Sequence, residues 1–432
     1  MNVDRRSFTA SAAGALGAAV LGCRSAGTPA PAAAPLPDDG ALPAPIRALR
    51  PMTAGVVPIT DDERRARIEK ARRLMVEQGI DALVLESGTS LFYYTGVNWG
   101  LSERPFVAVI PARGALAYVT PAFEEMRARE LIRFSDDVRV WQEDESPYRV
   151  VAQILRDRGA GTGRIGIEER MRFFVVDGVR RELPQATMVD AVAVTAGCRM
   201  FKSPAEIALM QRANDITIAA YAAAFATLRT GMTQFAFRNN IEAAFAQVGV
   251  PNGSAGAQFG RYSAFPHGSR TPQQLTEGDV VLVDGGCAVD GYRSDITRTT
   301  VFGEPSARQR EVWLLEQRAQ DAAFRAAQPG ATCESVDATA RKVITDAGFG
   351  PDYRVPGLPH RTGHGIGLDG HEWTNFVRGN TTVIQPGMCF SDEPMVAIYG
   401  EFGIRLEDCL YVTESGPRYF TQPSRAIDQP FA

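Results

Sequence analysis

The chain has 432 residues, of which 45% are hydrophobic and 22% charged, with a formal net charge of −4. That length allows two or three domains, each with a sizeable core. Both charge signs are scattered along it, so no basic stripe supports binding to nucleic acid or to an anionic membrane.

In chain order, residues 1–23 come first. Arg5-Arg6 and Ser7-Phe8 precede a small-residue apolar run from Ala10 to Gly22. A positive segment ahead of about a dozen apolar residues reads as a secretory signal, too short to span a bilayer. The R-R-x-F pattern resembles a twin-arginine signal, and Val20-Leu21-Gly22-Cys23 resembles a lipobox in which Cys23 would be lipidated. Cleavage slightly later, in the Ala-rich stretch, is the alternative. The expectation is an exported protein, periplasmic or lipid-anchored at the cell envelope, touching membrane only through Cys23. The five other cysteines show no C-x-x-C pair, and buried small hydrophobes is their expected role.

Residues 24–57 are rich in Ala, Pro and Gly and read as a flexible tether. An N-terminal α/β domain is expected over 58–197. Thr60-Asp61-Asp62-Glu63 predicts a capping box opening a helix that Gly79 ends. Apolar runs at 82–85, 106–110, 115–119, 138–141 and 164–167 predict strands. Helices are expected near 121–133, 148–158 and 174–183, and this alternation suggests a layered α/β domain. A second domain is expected over 198–425. Ser203-Pro204-Ala205-Glu206 opens a long helix toward Arg229. Helices at 233–247, 305–327 and 333–347 mix there with strands at 279–284, 292–300, 386–393 and 403–412, an α+β pattern.

Two hairpins place carboxylates together. Asp290-Gly291, a strong hairpin signal, lies between Asp284 and Asp295. Centring the turn there makes Gly286 face Asp295, so Asp284 and Asp295 become diagonal neighbours roughly 7–8 Å apart by backbone. Gly286 is expected to leave the space between them open. Glu393 and Glu407 are symmetric about Gly400 and would face each other. Opposed carboxylates repel unless a cation lies between them.

The run R-T-G-H-G-I-G-L-D-G-H-E at 361–372 holds His364 and His371, with His360 just before it, although the chain has only four histidines. Its glycines make a helical zinc site implausible. A dinucleotide reading of Gly365, Gly367 and Gly370 lacks a strand–turn–helix context. The glycines instead let the backbone approach a metal centre and extend His364 into it. One imidazole and four carboxylates form an oxygen-rich set suited to two divalent ions, Mn²⁺ first, with Co²⁺ or Zn²⁺ as alternatives.

These blocks, with V-L-V-D-G-G, G-Y-R-S-D-I-T-R-T, S-D-E-P and G-I-R-L-E-D, resemble the pita-bread metallopeptidases. Within that family the prolidase and aminopeptidase P branch, with its creatinase-type N-terminal domain, is the nearest fit. The resemblance spans about residues 60–425. It implies a pita-bread catalytic domain whose antiparallel strands carry a dinuclear metal site with Asp284, Asp295, His364, Glu393 and Glu407 as ligands. It also implies a substrate-side role for His267, His360 and His371, and a homodimer.

The activity implied is hydrolysis of Xaa-Pro bonds in dipeptides or at the N-terminus of short peptides, by a hydroxide bridging the two ions. Glu393 would act as general base, and His267 and His371 would steady the oxyanion or the proline-side amide. Arg405 would either orient a carboxylate or simply offset the acidic charge. Met395 stands where the family usually has glycine, and Ala397 where tyrosine is often found. By register Met395 faces Arg405 and is expected to reshape the substrate pocket. A metal-dependent lyase or hydrolase of a small non-peptide metabolite, and a non-catalytic binding protein, remain the alternatives.

Overall fold

The computed structural model describes residues 42–431. The signal-type segment, Cys23 and residues 24–41 lie outside them. Residues 42–57 are docked rather than free, contrary to the tether expected there. A short helix α1 (Ala44–Arg47) buries Ile46 completely, and Met52 N donates to Val248 O at 2.9 Å. Ile46, Leu49, Met52 and Val56 join the main core, and their spacing of three or four residues was hidden among prolines.

Helix α2 (Asp61–Gln78) starts at Thr60, whose hydroxyl accepts from Glu63 N at 3.2 Å. Only this half of the capping box forms. Glu63 Oε1 instead accepts from Arg67 at 2.8 Å and from Ser203 Oγ at 2.7 Å. There follow β1 (Ala82–Glu86), α3 (Thr89–Thr95), β2 (Val107–Pro111), β3 (Ala117–Pro121), α4 (Glu125–Leu131) and β4 (Val138–Trp141). Then come α5 (Pro147–Asp157), β5 (Arg164–Ile167), α6 (Phe173–Glu182), β6 (Thr187–Asp190) and α7 (Val192–Arg199). The six strands form one mixed sheet in the order β4-β3-β2-β1-β5-β6. Strands β1 to β3 are buried at every position, which is why they read as unbroken apolar runs and not as alternations.

Ser203 caps α8 (Pro204–Phe225) with a complete capping box to Glu206. The second half continues with α9 (Gln234–Gln247), β7 (Ser254–Phe259), β8 (Val280–Gly286), β9 (Ala288–Val289), β10 (Tyr292–Arg293) and β11 (Ile296–Val301). After α10 (Ala307–Ala326) and α11 (Cys333–Asp346) come β12 (Gly363–Gly365), β13 (Glu372–Phe376), β14 (Cys389–Asp392) and β15 (Met395–Ile398). The last strands are β16 (Phe402–Arg405), β17 (Asp408–Thr413) and β18 (Gly416–Tyr419).

Two sheets, β11-β8-β7 and β13-β12-β14-β17-β18, carry the polar residues, and β15 and β16 form a separate two-stranded hairpin. The five cysteines in the described residues are buried and unpaired. Among those residues no helix is long and apolar enough to cross a membrane.

The two halves meet through hydrogen bonds as well as apolar contact. Arg67 donates to Tyr292 Oη at 3.0 Å, and Tyr292 in turn donates to Glu206 at 2.7 Å. Ile59 N donates to Asp290 at the tip of the first hairpin, 3.3 Å away.

Candidate metal centre

The first acidic hairpin keeps the register that its turn dictates. Asp290 (φ 47°) and Gly291 (φ 85°) both occupy the left-handed region that a tight two-residue turn requires. Tyr292 pairs with Val289, and past a short interruption Ile296 pairs with Gly285 and Thr297 with Asp284. Gly286 has a different duty from the one expected. A Cβ there would meet Ser294 O at 2.2 Å, so glycine serves a close backbone approach and does not hold a gap open between the acids.

In the second hairpin Met395 pairs with Arg405 and Ile398 with Phe402 around Gly400. Farther out, Asp392 pairs with Asp408 in the five-stranded sheet. Glu393 and Glu407 therefore face each other where the two strands part. Glu393 N turns to Thr362 O at 2.9 Å and Glu407 N to Thr297 O at 3.3 Å. Pro394 has no N–H with which to continue the ladder.

Asp295, Glu393 and Glu407 all occupy such breaks, between β10 and β11, β14 and β15, and β16 and β17. A strand that changes sheet releases its side chain from either face. Here the released acids converge.

Ligand atoms of Asp284, Asp295 and Glu407 lie within 4.8 Å of one another, as do those of His364, Glu393 and Glu407, and of Asp295, His364 and His371. His364 Nε2 is 3.1 Å from Glu393 Oε1 and 3.8 Å from Asp295 Oδ2. Its Nδ1 lies 3.1 Å from Gly365 O, a bond that fixes the ring and leaves Nε2 facing the acids. The glycines flanking His364 follow from packing in β12. A Cβ at Gly363 would meet Ser391 O at 2.1 Å, and one at Gly365 would meet Glu372 O at 2.7 Å.

Three side chains knit the acids together. Arg405, 3% exposed, places Nη2 2.5 Å from Asp284 Oδ2 and Nη1 4.0 Å from Glu393 Oε2. Its Nε donates to Thr297 Oγ1 at 3.0 Å, and that hydroxyl lies 2.6 Å from Glu407 Oε2 and 3.1 Å from Asp284 Oδ1. Ser391 Oγ accepts from His364 N at 3.0 Å and donates to Glu393 Oε1 at 3.2 Å. The sequence reading missed Thr297 and Ser391. Their signal was positional: each stands two residues from an acid of the cluster, inside the quoted motifs.

The electrostatics show a shortage of positive charge. Burial, then the charges of Asp295, Glu393 and Asp284, hold the Glu407 carboxyl well above the usual range. Burial and Asp284 push Asp295 up to about 7. Glu393 goes the other way: burial would raise it, but the His364 hydrogen bond and charge, with Arg405, hold it low. Buried behind the cluster, the Tyr221 hydroxyl has no hydrogen-bond partner, and burial plus the Asp284, Asp295 and Glu407 charges raise its pKa far up. Four hard oxygen donors and one imidazole with a single guanidinium among them fit divalent cations by donor chemistry.

The other expected residues are placed as follows. The His371 ring stacks on His364 at 3.7 Å, and burial and His364 bring its pKa down to about 4, so it is neutral near pH 7. His267 is exposed and follows Pro266, whose carbonyl accepts from Arg405 at 3.2 Å. His360 Nδ1 lies 2.7 Å from Arg361 O, while its Nε2 is buried without a partner. Burial lowers the His360 pKa, and the nearby Glu393 charge raises it. Met395 does not shape a substrate pocket. It is fully buried, packed with Val280, Trp313 and Ile404, so the face that its register assigns is covered by core.

Comparison with known proteins now bears on this geometry. Residues 67–201 match the creatinase/prolidase N-terminal domain, and residues 208–414 match metallopeptidase family M24. An Xaa-Pro dipeptidase of Lactobacillus helveticus is 32% identical over 365 residues, 83% of this chain and 98% of that protein. The chain belongs to metallopeptidase family M24. Among solved M24-type structures, the dipeptidase PepE of Mycobacterium ulcerans superposes with a TM-score of 0.80 at 30% identity, over 87% of this chain and all (100%) of that one. A prolidase from Thermococcus sibiricus gives 0.77 at 28% identity, over 85% and 98%. The protein is thus an M24 metallopeptidase with the prolidase-type fold, as its motifs implied.

Proposed function

We propose that the protein hydrolyses the Xaa-Pro bond of dipeptides, with two divalent ions held by Asp284, Asp295, His364, Glu393 and Glu407. The observation that carries this is the overlap of ligand-atom sets within 4.8 Å, drawn from three separate segments. The printed activities of the relatives, an Xaa-Pro dipeptidase and a prolidase among them, support the substrate class. Bound divalent ions supply Lewis acidity and make hydroxide available near neutral pH.

The chain's own groups do the rest. Glu393, held ionised by His364 and Arg405, takes a proton at its carboxylate and passes it to the leaving nitrogen. Neutral His371 donates from its ring to the substrate carbonyl or amide, with His267 on the same side. Arg405 and Thr297 hold Asp284 and Glu407 in place, a positioning role.

Mn²⁺ is the first expectation for the metal from the oxygen-rich donor set. Export, with Cys23 as a lipid attachment point, is part of the same proposal and rests on Arg5-Arg6 and Val20–Cys23. The deciding experiment pairs elemental analysis of the purified protein with cleavage assays on Xaa-Pro and Xaa-Pro-Yaa peptides. About two equivalents of a divalent metal and Xaa-Pro cleavage are expected. A protein that binds no such metal, or that cleaves only non-proline substrates, overturns the proposal.

A further inference from the structure

Successive side chains of a strand point to opposite faces. On β11, Thr297 turns to the acids, where its hydroxyl meets Asp284 and Glu407. Arg298, the next residue, turns to the far face and is 1% exposed. Its Nη1 donates to Thr297 O at 3.1 Å and to Glu407 O at 3.0 Å. Its Nη2 donates to Asp408 Oδ1 at 2.7 Å and to Gln422 O at 3.2 Å, and its Nε is buried without a partner.

These bonds fall at the break between β16 and β17, where Glu407 lies outside both strands. A single bridge to Thr297 stands in for the ladder there, and in it Glu407 N reaches Thr297 O at 3.3 Å. Arg298 supplies the other half by holding the Glu407 carbonyl. Both peptide groups that flank the Glu407 Cα are thus satisfied by residues 297 and 298, and those two peptides set the direction in which the carboxylate leaves the chain. Asp408, which anchors the guanidinium, is itself held by Gln320 Nε2 at 3.1 Å and by the Thr421 hydroxyl. Asp392, its partner in the ladder, takes the Tyr419 hydroxyl on one oxygen at 2.6 Å and leaves the other unpartnered.

We infer that Arg298 is a positioning residue for the metal centre: from the far face of β11 it fixes the peptide behind Glu407, and so aims that carboxylate at Asp284, Asp295 and His364. The inference rests on the metal-centre reading above and adds the residue that sets its geometry from outside. A buried ion pair is often no more stabilising than an apolar pair of the same shape, so stability gives little reason for charge at this place. The carbonyl bonds give one. A lysine would supply the charge without the planar fork that reaches a carboxylate and three carbonyl oxygens at once.

The test compares the wild type with Arg298→Lys and with the double variant Arg298→Met/Asp408→Asn, in which neither member of the pair is left charged. Metal-free protein is titrated with Mn²⁺ by calorimetry, and Xaa-Pro hydrolysis is measured on the loaded protein. Both variants should bind Mn²⁺ about 10- to 100-fold more weakly and lose kcat with KM nearly unchanged. The double variant should keep the wild-type midpoint in denaturant, a result that separates positioning from support of the fold. Wild-type Mn²⁺ affinity in either folded variant overturns the inference. Should the double variant not fold, the affinity of Arg298→Lys decides alone.

A wild type that binds metal but cleaves no Xaa-Pro bond removes the substrate reading, and the Mn²⁺ titrations still decide the role of Arg298. If the wild type binds no divalent ion, the metal-centre reading fails, and backbone amide exchange in the metal-free protein decides separately. Faster exchange over 405–409 in Arg298→Lys, with 280–286 unchanged, supports the positioning. Equal exchange, or a loosening of both segments together, overturns it.

Discussion

Two clusters of buried charge lie a few residues apart in sequence and are built on opposite principles. At the seam between the halves, Glu372 and Asp369 are met by Arg199, Lys202 and Arg170, and burial is outweighed by Lys202 and Arg199 so that Glu372 titrates down at about 2. That cluster is complete. In the metal centre four carboxylates share Arg405, and two of them, Asp295 and Glu407, are pushed up. The Glu372 side chain is 4% exposed and Glu407 1%, so solvation does not make the difference between these two acids. The seam spends its charges on holding the fold, while the centre leaves a deficit that a bound cation would fill.

The largest expected effect breaks the deficit. Asp284→Asn removes a donor and the partner of Arg405, and should lower kcat/KM roughly ten-thousandfold, about 5.5 kcal/mol. Metal content should fall with it; full metal occupancy together with full activity in that variant would remove Asp284 from the site. The seam should answer in stability instead. Glu372→Gln leaves Lys202 buried without a carboxylate and Arg199 with Asp369 alone, a change that costs about 3–5 kcal/mol, read by denaturant unfolding of the metal-loaded protein. The contrast fails if Glu372→Gln is neutral.

How far each cluster could be read from sequence follows from what fixes it. The acidic pairs were legible because a turn sets a register by arithmetic. Asp290-Gly291 brings Asp295 next to Asp284, and Gly400 brings Glu407 opposite Glu393. What the arithmetic could not reveal is where a strand changes sheet. The runs 292–300 and 403–412 read as continuous, yet the structure breaks them at Ser294-Asp295 and Leu406-Glu407, and those breaks aim the acids. The short helices α3 and α7 and the strands β6, β7, β12, β13, β15 and β18 carried too little period to be read. The seam was invisible for another reason: Arg170, Arg199 and Lys202 are brought to Asp369 and Glu372 only by tertiary packing.

Acid pH separates the clusters further. The Glu372 carboxyl is depressed from 4.5 to about 2, so the folded state binds its proton less readily than the unfolded one. Its contribution is fully present above the unfolded pKa and is lost as pH falls through the folded value. The size is on the order of 3 kcal/mol. The stability gap between wild type and Glu372→Gln should therefore shrink steadily from about pH 5 toward pH 2. A gap that stays constant over that window contradicts the ion-pair account of the seam.

In the centre the sign reverses. With metal removed by a chelator, Glu407→Gln relieves repulsion among the acids and should raise the midpoint of thermal unfolding, by about 1 kcal/mol in stability. A loss of stability in the metal-free variant would mean that Arg405 and Thr297 already compensate the charge.

The smallest effect tests whether Met395 belongs to the centre or to the core. Its register partner is Arg405, which made it look like a wall of the substrate pocket, yet it is fully buried with Val280, Trp313 and Ile404. A core methionine tolerates a side chain of similar volume, because packing asks for shape and an absence of polar atoms, not for sulfur. Met395→Leu should cost less than about 1.5 kcal/mol and leave both KM and the preference for proline unchanged. A pocket residue would behave in the opposite way: branching at Cγ would shift KM among Xaa-Pro substrates while stability stayed the same. Measuring both on one variant separates the two roles, since a buried side chain has no route to the substrate except through the fold.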